Sequence, residues 1–361
     1  MTRILILYRE LAGYMVSCIN YLASQHRASV DIVAYPVNAE APFTFQFAPS
    51  VRIFRRSGQS AESLQKLVDE NQYELILCGG WSDPQYLQVV RRNPAIPSVL
   101  AFDKQWFGSP RDRMAALYLR FRVTRLFRWA FVPGTEQVEF ARRMGFEPGQ
   151  IREGVYCCDH GLFESIYSRR NGTTSSTPRQ IWFSGRYVEA KCVTQMQHHM
   201  AVLLDSELPD WELHCIGTGA LFDQRLSHPR IIHHGFVQPE DLPDRLIRGE
   251  INILPSRFEP WALSVHEFAS AGFALVVSDR VGARTAFVEH GSNGLIFPSE
   301  NWEAFRSAVR TLCRKSPDEL RQMGERSHRL AAGISPERWA NTVLDMARSG
   351  NGKGALRTFA D

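Results

Sequence analysis

The chain has 361 residues, comfortable for two domains and long for one. A net charge of +4 is too small to imply a nucleic-acid partner, and 44% hydrophobic with 22% charged residues is a globular composition. No run of eighteen apolar residues is present to span a bilayer.

The opening MTRILILYRE reads as a buried strand rather than a signal peptide. The seven cysteines, Cys18, Cys78, Cys157, Cys158, Cys192, Cys215 and Cys313, form no CxxC pair. They are expected to be reduced thiols in a cytosolic protein. The basic surplus is local: residues 91–152 hold twelve Lys/Arg against five Asp/Glu.

In chain order, short apolar runs predict strands at 3–8, 30–35, 51–54, 74–78, 98–102 and 129–132. Helical patterns fall between them near 13–25, 61–71, 84–92, 110–127 and 135–144. This alternation predicts a parallel sheet covered on both faces. The stretch SRRNGTTSSTPRQ then offers almost nothing to bury and reads as a linker. Beyond it the rhythm restarts, with strands at 180–184, 212–216, 231–234, 251–254, 274–278 and 295–297. The last patterned helix is 336–346, capped by Ser335 with Pro336 in its first turn.

The expected organisation is therefore α/β, with two Rossmann-like doubly wound domains facing a central cleft. The first domain spans 1–167, the linker 168–179 and the second domain 180–334. The closing helix, 335–348, is expected to pack back on the first domain, ahead of a flexible tail at 349–361. Ligands of such sheets bind outside the carboxyl ends of the strands.

The strongest chemical signal is PSRFEPWALSVHEFASAGFALVVSD, which follows the strand INIL and opens a helix. Glu259 and Glu267 are eight positions apart, one at the strand-to-helix turn and one inside the helix. Between them the N–H groups of Ala262, Leu263 and Ser264 open the helix and suit a phosphate. Glu267 can accept hydrogen bonds from vicinal ribose hydroxyls, and Glu259 can meet hydroxyls of a transferred sugar. The plainer alternative is a surface helix with two solvated glutamates.

A second signal is IWFSGRYVEAKCV. Gly185 permits a close turn, and Arg186 and Lys191 bring a planar fork and a point charge toward one spot. That pair suits a leaving pyrophosphate, although loop cations are usually solvated. A third is LHCIGTGALF, where Gly217 and Gly219 form a glycine turn that is either a ligand contact or a tight turn only. No Asp-x-Asp occurs, so no metal is expected and no other cofactor is implied. No Walker loop, GxSxG or GxGxxG after the first strand is present, against an ATPase, an α/β hydrolase or an NAD oxidoreductase.

The Glu259/Glu267 segment resembles the Glu-x7-Glu signature of family 4 glycosyltransferases (glycosyl transferases group 1). The resemblance continues through GARTAFVEHGSNGLIFPSEN and the closing helix, covering residues 180–346. It implies the GT-B fold and a retaining, metal-independent transfer from a nucleoside-diphosphate sugar to a saccharide or lipid-linked acceptor. It also implies a place in polysaccharide biosynthesis. In that scheme Arg186, Lys191 and Glu259 act at the transferred sugar and leaving diphosphate, and Glu267 holds ribose. Gly185, Gly217, Gly219, Ala262, Leu263 and Ser264 line the donor site. The backbone after Gly235, around Phe236 and Val237, would lie over the base.

The sequence departs from the family pattern at several positions. Ala262 replaces a glycine, and YRELAGY offers only Gly13 where a Gly-Gly turn is usual. AFDKQW places Asp103 where the family often has histidine; Gly13 and Asp103 are the acceptor-side candidates. Two alternatives stand beside the transferase. One is a sugar-nucleotide 2-epimerase, which needs acidic and histidine groups converging on the sugar. The other is a weakened donor-binding subunit of a glycosylation complex.

One further segment, 111–130, reads as a helix with Ala116, Leu119, Val123, Leu126 and Ala130 on its inner face. Arg122, Arg125 and Arg128 beside Phe121 and Trp129 would then face outward. Such a surface suits an anionic membrane and a peripheral position on its inner face. The plainer alternative is a helix buried on two sides with snorkelling arginine stems.

Overall fold

The computed structural model describes residues 1–36, 42–171 and 178–350. It divides into two compact units. One holds Met1–Val37, Phe45–Tyr156 and Pro336–Asp361; the other holds Asn38–Thr44 and Cys157–Ser335.

The first unit is built on strands β1 (Arg3–Tyr8), β2 (Ser29–Ala34), β3 (Val51–Arg55), β4 (Leu75–Gly79), β5 (Ser98–Ala101), β6 (Trp129–Val132) and β7 (Ile151–Glu153). Their order is β3-β2-β1-β4-β5-β6-β7, and every pairing is parallel. Central strands of a two-face-covered parallel sheet carry continuous apolar runs. Leu75–Cys78 and Trp129–Val132 are accordingly buried throughout. Strand β7 has no such run, lies at the sheet edge and was not predicted.

Its helices are α1 (Gly13–Gln25), α2 (Ala61–Asp69), α3 (Pro84–Arg92), α4 (Pro110–Arg122) and α5 (Thr135–Arg143). Their starts are written locally. Ser60 caps α2, Asp83 caps α3 ahead of Pro84, and Ser109 with Asp112 forms a capping box on α4.

The second unit opens with α6 (His160–Asn171), which occupies 168–171 of the expected linker; β8 (Arg179–Ser184) begins at its end. The units divide at Tyr156/Cys157, ahead of the boundary expected at 167. The other strands are β9 (Trp211–Ile216), β10 (Ile231–Gly235), β11 (Gly249–Leu254), β12 (Ala274–Ser278) and β13 (Gly294–Phe297). They form a second all-parallel sheet in the order β10-β9-β8-β11-β12-β13. Helices α7 (Val193–Ser206), α8 (Leu242–Leu246), α9 (Leu263–Ser270), α10 (Arg284–Phe287), α11 (Trp302–Cys313) and α12 (Pro317–Ala331) connect and cover it.

The last helix, α13 (Pro336–Gly350), belongs to the first unit and packs on α1. Its Trp339 is buried, and the indole N–H donates to the Val155 carbonyl at 3.1 Å. The expected tail lies outside the described residues beyond 350. Among the described residues no helix is long and apolar enough to cross a membrane. In both sheets the strand order reverses once, between β1 and β4 and between β8 and β11, and crevices form at such points.

Candidate functional site

The turns after β8 and β9 interlock. The Gly185 N–H donates to the Ile216 carbonyl at 3.0 Å, and the Tyr187 N–H to the Thr218 carbonyl at 2.8 Å. Gly217 and Gly219 have φ of +128° and +147°. A Cβ at Gly217 would collide with the Gly185 carbonyl oxygen, and one at Gly219 would lie 2.8 Å from that of Tyr187. Both glycines are thus required by close backbone approach. Tyr187 is fully buried, and its hydroxyl pairs with His233 Nδ1 at 2.8 Å, tying in the end of β10. Gly235 follows at φ +69°, then half-buried Phe236 and buried Val237.

This interlock sets the cations. Arg186 is exposed on the turn itself, and Lys191 ends the next short helical turn, its stem passing over Gly185. The Lys191 ammonium forms an ion pair with the carboxylate of Glu259, and both side chains are largely buried. Glu259 stands after β11, the strand beside β8 where the order reverses. Its backbone is held by Arg280 and Gly282, with N–H···O distances of 3.1 and 3.0 Å.

Helix α9 starts immediately beyond. Its cap, Ala262, has φ 78° and ψ 84°, a left-handed conformation that costs a residue with a Cβ, and its side chain caps nothing. Among the described residues the N–H groups of Ala262, Leu263 and Ser264 have no hydrogen-bond acceptor. Free donors at a helix start attract an anion. One turn inside, burial pushes the Glu267 carboxyl up to about 7, and the charge of Asp159 adds to the rise. Asp159 gave no sign in the sequence, since its effect arises only from placement near Glu267.

Cys158, His160 and His266 bring their ligand atoms within 4.8 Å of one another. The group suits a metal poorly. His266 Nδ1 accepts from the Cys158 N–H at 3.2 Å, and Nε2 donates to the Ala331 carbonyl at 3.1 Å. Burial also pushes the Cys158 thiol up to about 12.

In the first unit, a cavity of about 440 Å³ lies at the carboxyl ends of β1, β4 and β5, lined by Tyr8, Tyr14, Asp103 and Tyr156 among others. The three phenols interact with one another, and burial raises all three above the ordinary tyrosine range. Gly13 begins α1 just before Tyr14.

Residues 167–329 match the family described as glycosyl transferases group 1. The chain has the GT-B fold, and its second unit carries the match to group 1 glycosyl transferases. No curated protein matches it at a significant level. Among solved structures it is similar to sucrose-phosphate synthase from Thermosynechococcus elongatus (16% identity, TM-score 0.74), covering 97% of this chain and 99% of that one. It is also similar to Anabaena HepE in complex with UDP and glucose (15%, TM-score 0.70, coverage 97% and 100%). A glycosyltransferase from Rickettsia africae gives 9% identity and a TM-score of 0.75, with coverage of 98% and 99%.

Within the matched residues the structure joins Lys191 to Glu259 and sets both beside the start of α9. Arg186, Gly185, Gly217, Gly219, Phe236 and Val237 lie on neighbouring strand ends of the same sheet. Gly13 and Asp103 belong to the first unit.

The helix expected over 111–130 requires correction. Helix α4 ends at Arg122, a short helical turn covers Thr124–Leu126, and Trp129 already lies in β6. The Thr124 hydroxyl donates to the Met144 carbonyl at 3.0 Å, and the Arg128 N–H donates to the Ser98 carbonyl at 3.0 Å, which turns the chain into the sheet. Trp129 is therefore buried, with the Arg128 and Arg152 guanidiniums over its ring at 5.7 and 4.6 Å. Arg128 also donates to the Ser349 carbonyl at 2.9 Å. Phe121, Arg122 and Arg125 are exposed as expected.

Two outcomes are expected from the start of α9 in this domain. Ala262→Gly relieves the left-handed backbone and raises stability by about 1 kcal/mol, visible as a rise of roughly 2–4 °C in Tm. A lower Tm would mean that the Ala262 conformation carries no cost.

Glu267 retains its proton to about pH 7 in the folded chain, whereas the ordinary value is 4.5. Its contribution to stability is complete below the ordinary value and lost as pH rises through the folded one. Glu267→Gln should therefore match the parent near pH 4.5 and exceed it at pH 8, by up to about 3 kcal/mol. Denaturant melts at both pH values measure this, and equal stability at pH 8 refutes it.

Proposed function

We propose that the chain is a retaining, metal-independent glycosyltransferase that takes a nucleoside-diphosphate sugar as donor. The observation that carries this is the Lys191–Glu259 pair beside the free N–H groups that open α9, at the strand-order reversal of the second sheet. The family match over this domain and the UDP and UDP-glucose complexes of the similar Anabaena HepE support the donor class.

In this reading the second unit holds the donor. The α9 N–H groups and Arg186 take the diphosphate, Glu267 takes the ribose hydroxyls, and the backbone at Phe236 and Val237 meets the base. Glu259 accepts from hydroxyls of the transferred sugar. The first unit takes a saccharide or lipid-linked acceptor at the cavity of Tyr8, Tyr14 and Asp103. The enzyme works in the cytoplasm, and α4 is the face turned to an anionic membrane surface.

The acceptor oxygen bonds to the anomeric carbon on the face from which the diphosphate leaves. The anomeric C–O bond breaks as that bond forms, and the acceptor's proton passes to a departing phosphate oxygen. Charge on that diphosphate is larger in the transition state than in the bound donor, so Arg186 and Lys191 act differentially.

Lys191→Ala and Arg186→Ala should each lower kcat by about 100- to 1,000-fold with a smaller change in KM. Steady-state kinetics of donor hydrolysis or transfer decides this; a rise in KM alone refutes the assigned role. Activity should persist in excess chelator. Loss on chelation with recovery on adding magnesium or manganese overturns the metal-free reading.

A further inference from the structure

The crossover from β2 to β3 is divided between the units: Asn38–Thr44 belong to the second, and Phe45 onward to the first. Over residues 42–47 exposed Pro42, Thr44 and Gln46 alternate with half-buried Phe43, Phe45 and Phe47. That period of two puts the three rings on one side of an extended strip. Asn20 of α1 holds the later part, donating to the Gln46 carbonyl at 2.8 Å and accepting from the Ala48 N–H at 2.9 Å.

The earlier part is held by the second unit. The Phe43 ring packs edge-to-face with that of Phe236, at 5.1 Å between centroids and 77° between planes. The Gln238 amide donates to the Pro42 carbonyl at 3.1 Å, and its Oε1 is buried with no donor among the described residues. An edge-to-face pair leaves ring faces that neither partner covers. Phe236 follows Gly235 at the end of β10, and β10 stands three strands from β11 in the sheet order. At the usual strand spacing that is about 14 Å, a distance that a nucleoside diphosphate covers when its diphosphate lies at the α9 N–H groups.

We propose that Phe43 is a specificity-determining residue of the donor site, its ring packing beside Phe236 against the nucleobase. The inference rests on the proposed donor reading, in which the backbone at Phe236 and Val237 meets the base. Backbone groups address the hydrogen-bonding edge of a base; an aromatic ring adds contact with its flat face. A base N–H is also the class of donor that Gln238 Oε1 lacks. Phe43 carries no charge and lies outside the matched residues 167–329, so its contribution is to the base and separate from that of Arg186, Lys191 and Glu267.

Calorimetric titration of the full chain with the four ribonucleoside diphosphates and with inorganic pyrophosphate tests the proposal. Phe43→Ala should weaken the preferred nucleoside diphosphate by about tenfold, leave pyrophosphate unchanged and so narrow the spread among the four bases. Phe43→Tyr keeps a ring and should stay within about twofold of the parent. Phe47→Ala removes a ring of the same strip in the first unit and should leave nucleotide binding as it is.

Unchanged or tighter nucleotide binding by Phe43→Ala overturns the proposal, because the ring then makes no contact with the base or stands in its place. An equal loss on pyrophosphate also overturns it, since a general distortion of the unit does the same. No binding of any nucleoside diphosphate by the parent refutes the donor reading itself, and this inference with it, before a variant is made. If Phe43→Ala loses its cooperative melt, Phe43→Leu decides. It keeps most of the side-chain volume and removes the aromatic face, so it too should weaken the nucleotide and spare pyrophosphate.

Discussion

Two backbone turns occupy nearly the same space in the second unit, and the placement of the candidate donor site depends on that constraint. Gly185 and Tyr187 donate N–H groups into the carbonyls of Ile216 and Thr218, so the ends of β8 and β9 cannot move separately. Only glycine at 217 and 219 lets the strands approach this closely. Arg186 is held between the two bonded residues, and the path from Tyr187 to Lys191 is short. A cation on such a turn arrives where the backbone sends it, with little conformational freedom left to lose. Tyr187 extends the same constraint to β10 through His233. Burial lowers the His233 pKa, and its Nε2 donates to the Leu226 carbonyl at 3.0 Å, so Nδ1 is free to accept from the phenol.

The start of α9 follows a different logic, because it holds unfavourable features together. Ala262 sits in a left-handed conformation, three N–H groups lack acceptors among the described residues, and half-buried Glu267 lies near another carboxylate. Each costs folding free energy, and such costs cluster where a ligand is bound. An anion at the N–H groups and hydroxyls at Glu267 would satisfy them. The surrounding backbone carries the load meanwhile: Ala283 donates to the Trp261 carbonyl at 2.7 Å, and the Ser278 hydroxyl to that of Ser256 at 2.5 Å.

Much of this was legible in the sequence, for identifiable reasons. Parallel strands buried on both faces announce themselves as apolar runs, so six strands of each sheet were read within two residues of where they lie. Glu259, Glu267, Arg186 and Lys191 were legible because their spacing relative to strand ends fixes their position in a doubly wound sheet. Contacts that depend on three dimensions were not. The Lys191–Glu259 pair spans 68 positions, and Asp159 reaches Glu267 only through packing. The glycines 217 and 219 and the Gly185 turn were each visible, but the packing of one turn against the other was not. Strand β7 escaped because an edge strand of three residues, Ile-Arg-Glu, has no periodicity to read. The arginine-rich segment was over-extended for a related reason. Its helical apolar spacing continues through Leu126 and Ala130, but Val123 and Thr124 are β-branched and the chain must join β6 beside β5. Sheet pairing then outweighs helical pattern.

The Lys191–Glu259 pair bears on how a donor would be received. A largely buried ion pair contributes little net stability, because desolvation offsets most of its attraction. Removing one partner is costly, whereas exchanging one anion for another is not. A diphosphate at the α9 N–H groups would offer Lys191 a second anion of higher charge. Glu259 would then be free to turn to the sugar hydroxyls, which are donors. In the proposed reading the pair keeps both groups solvated by each other until donor binding supplies each with its own partner. The same arrangement makes Lys191 most tightly engaged when the diphosphate carries its greatest charge, after the anomeric bond has begun to break. An electrostatic contact that strengthens along the reaction in this way accelerates it, whereas one of constant strength only improves binding.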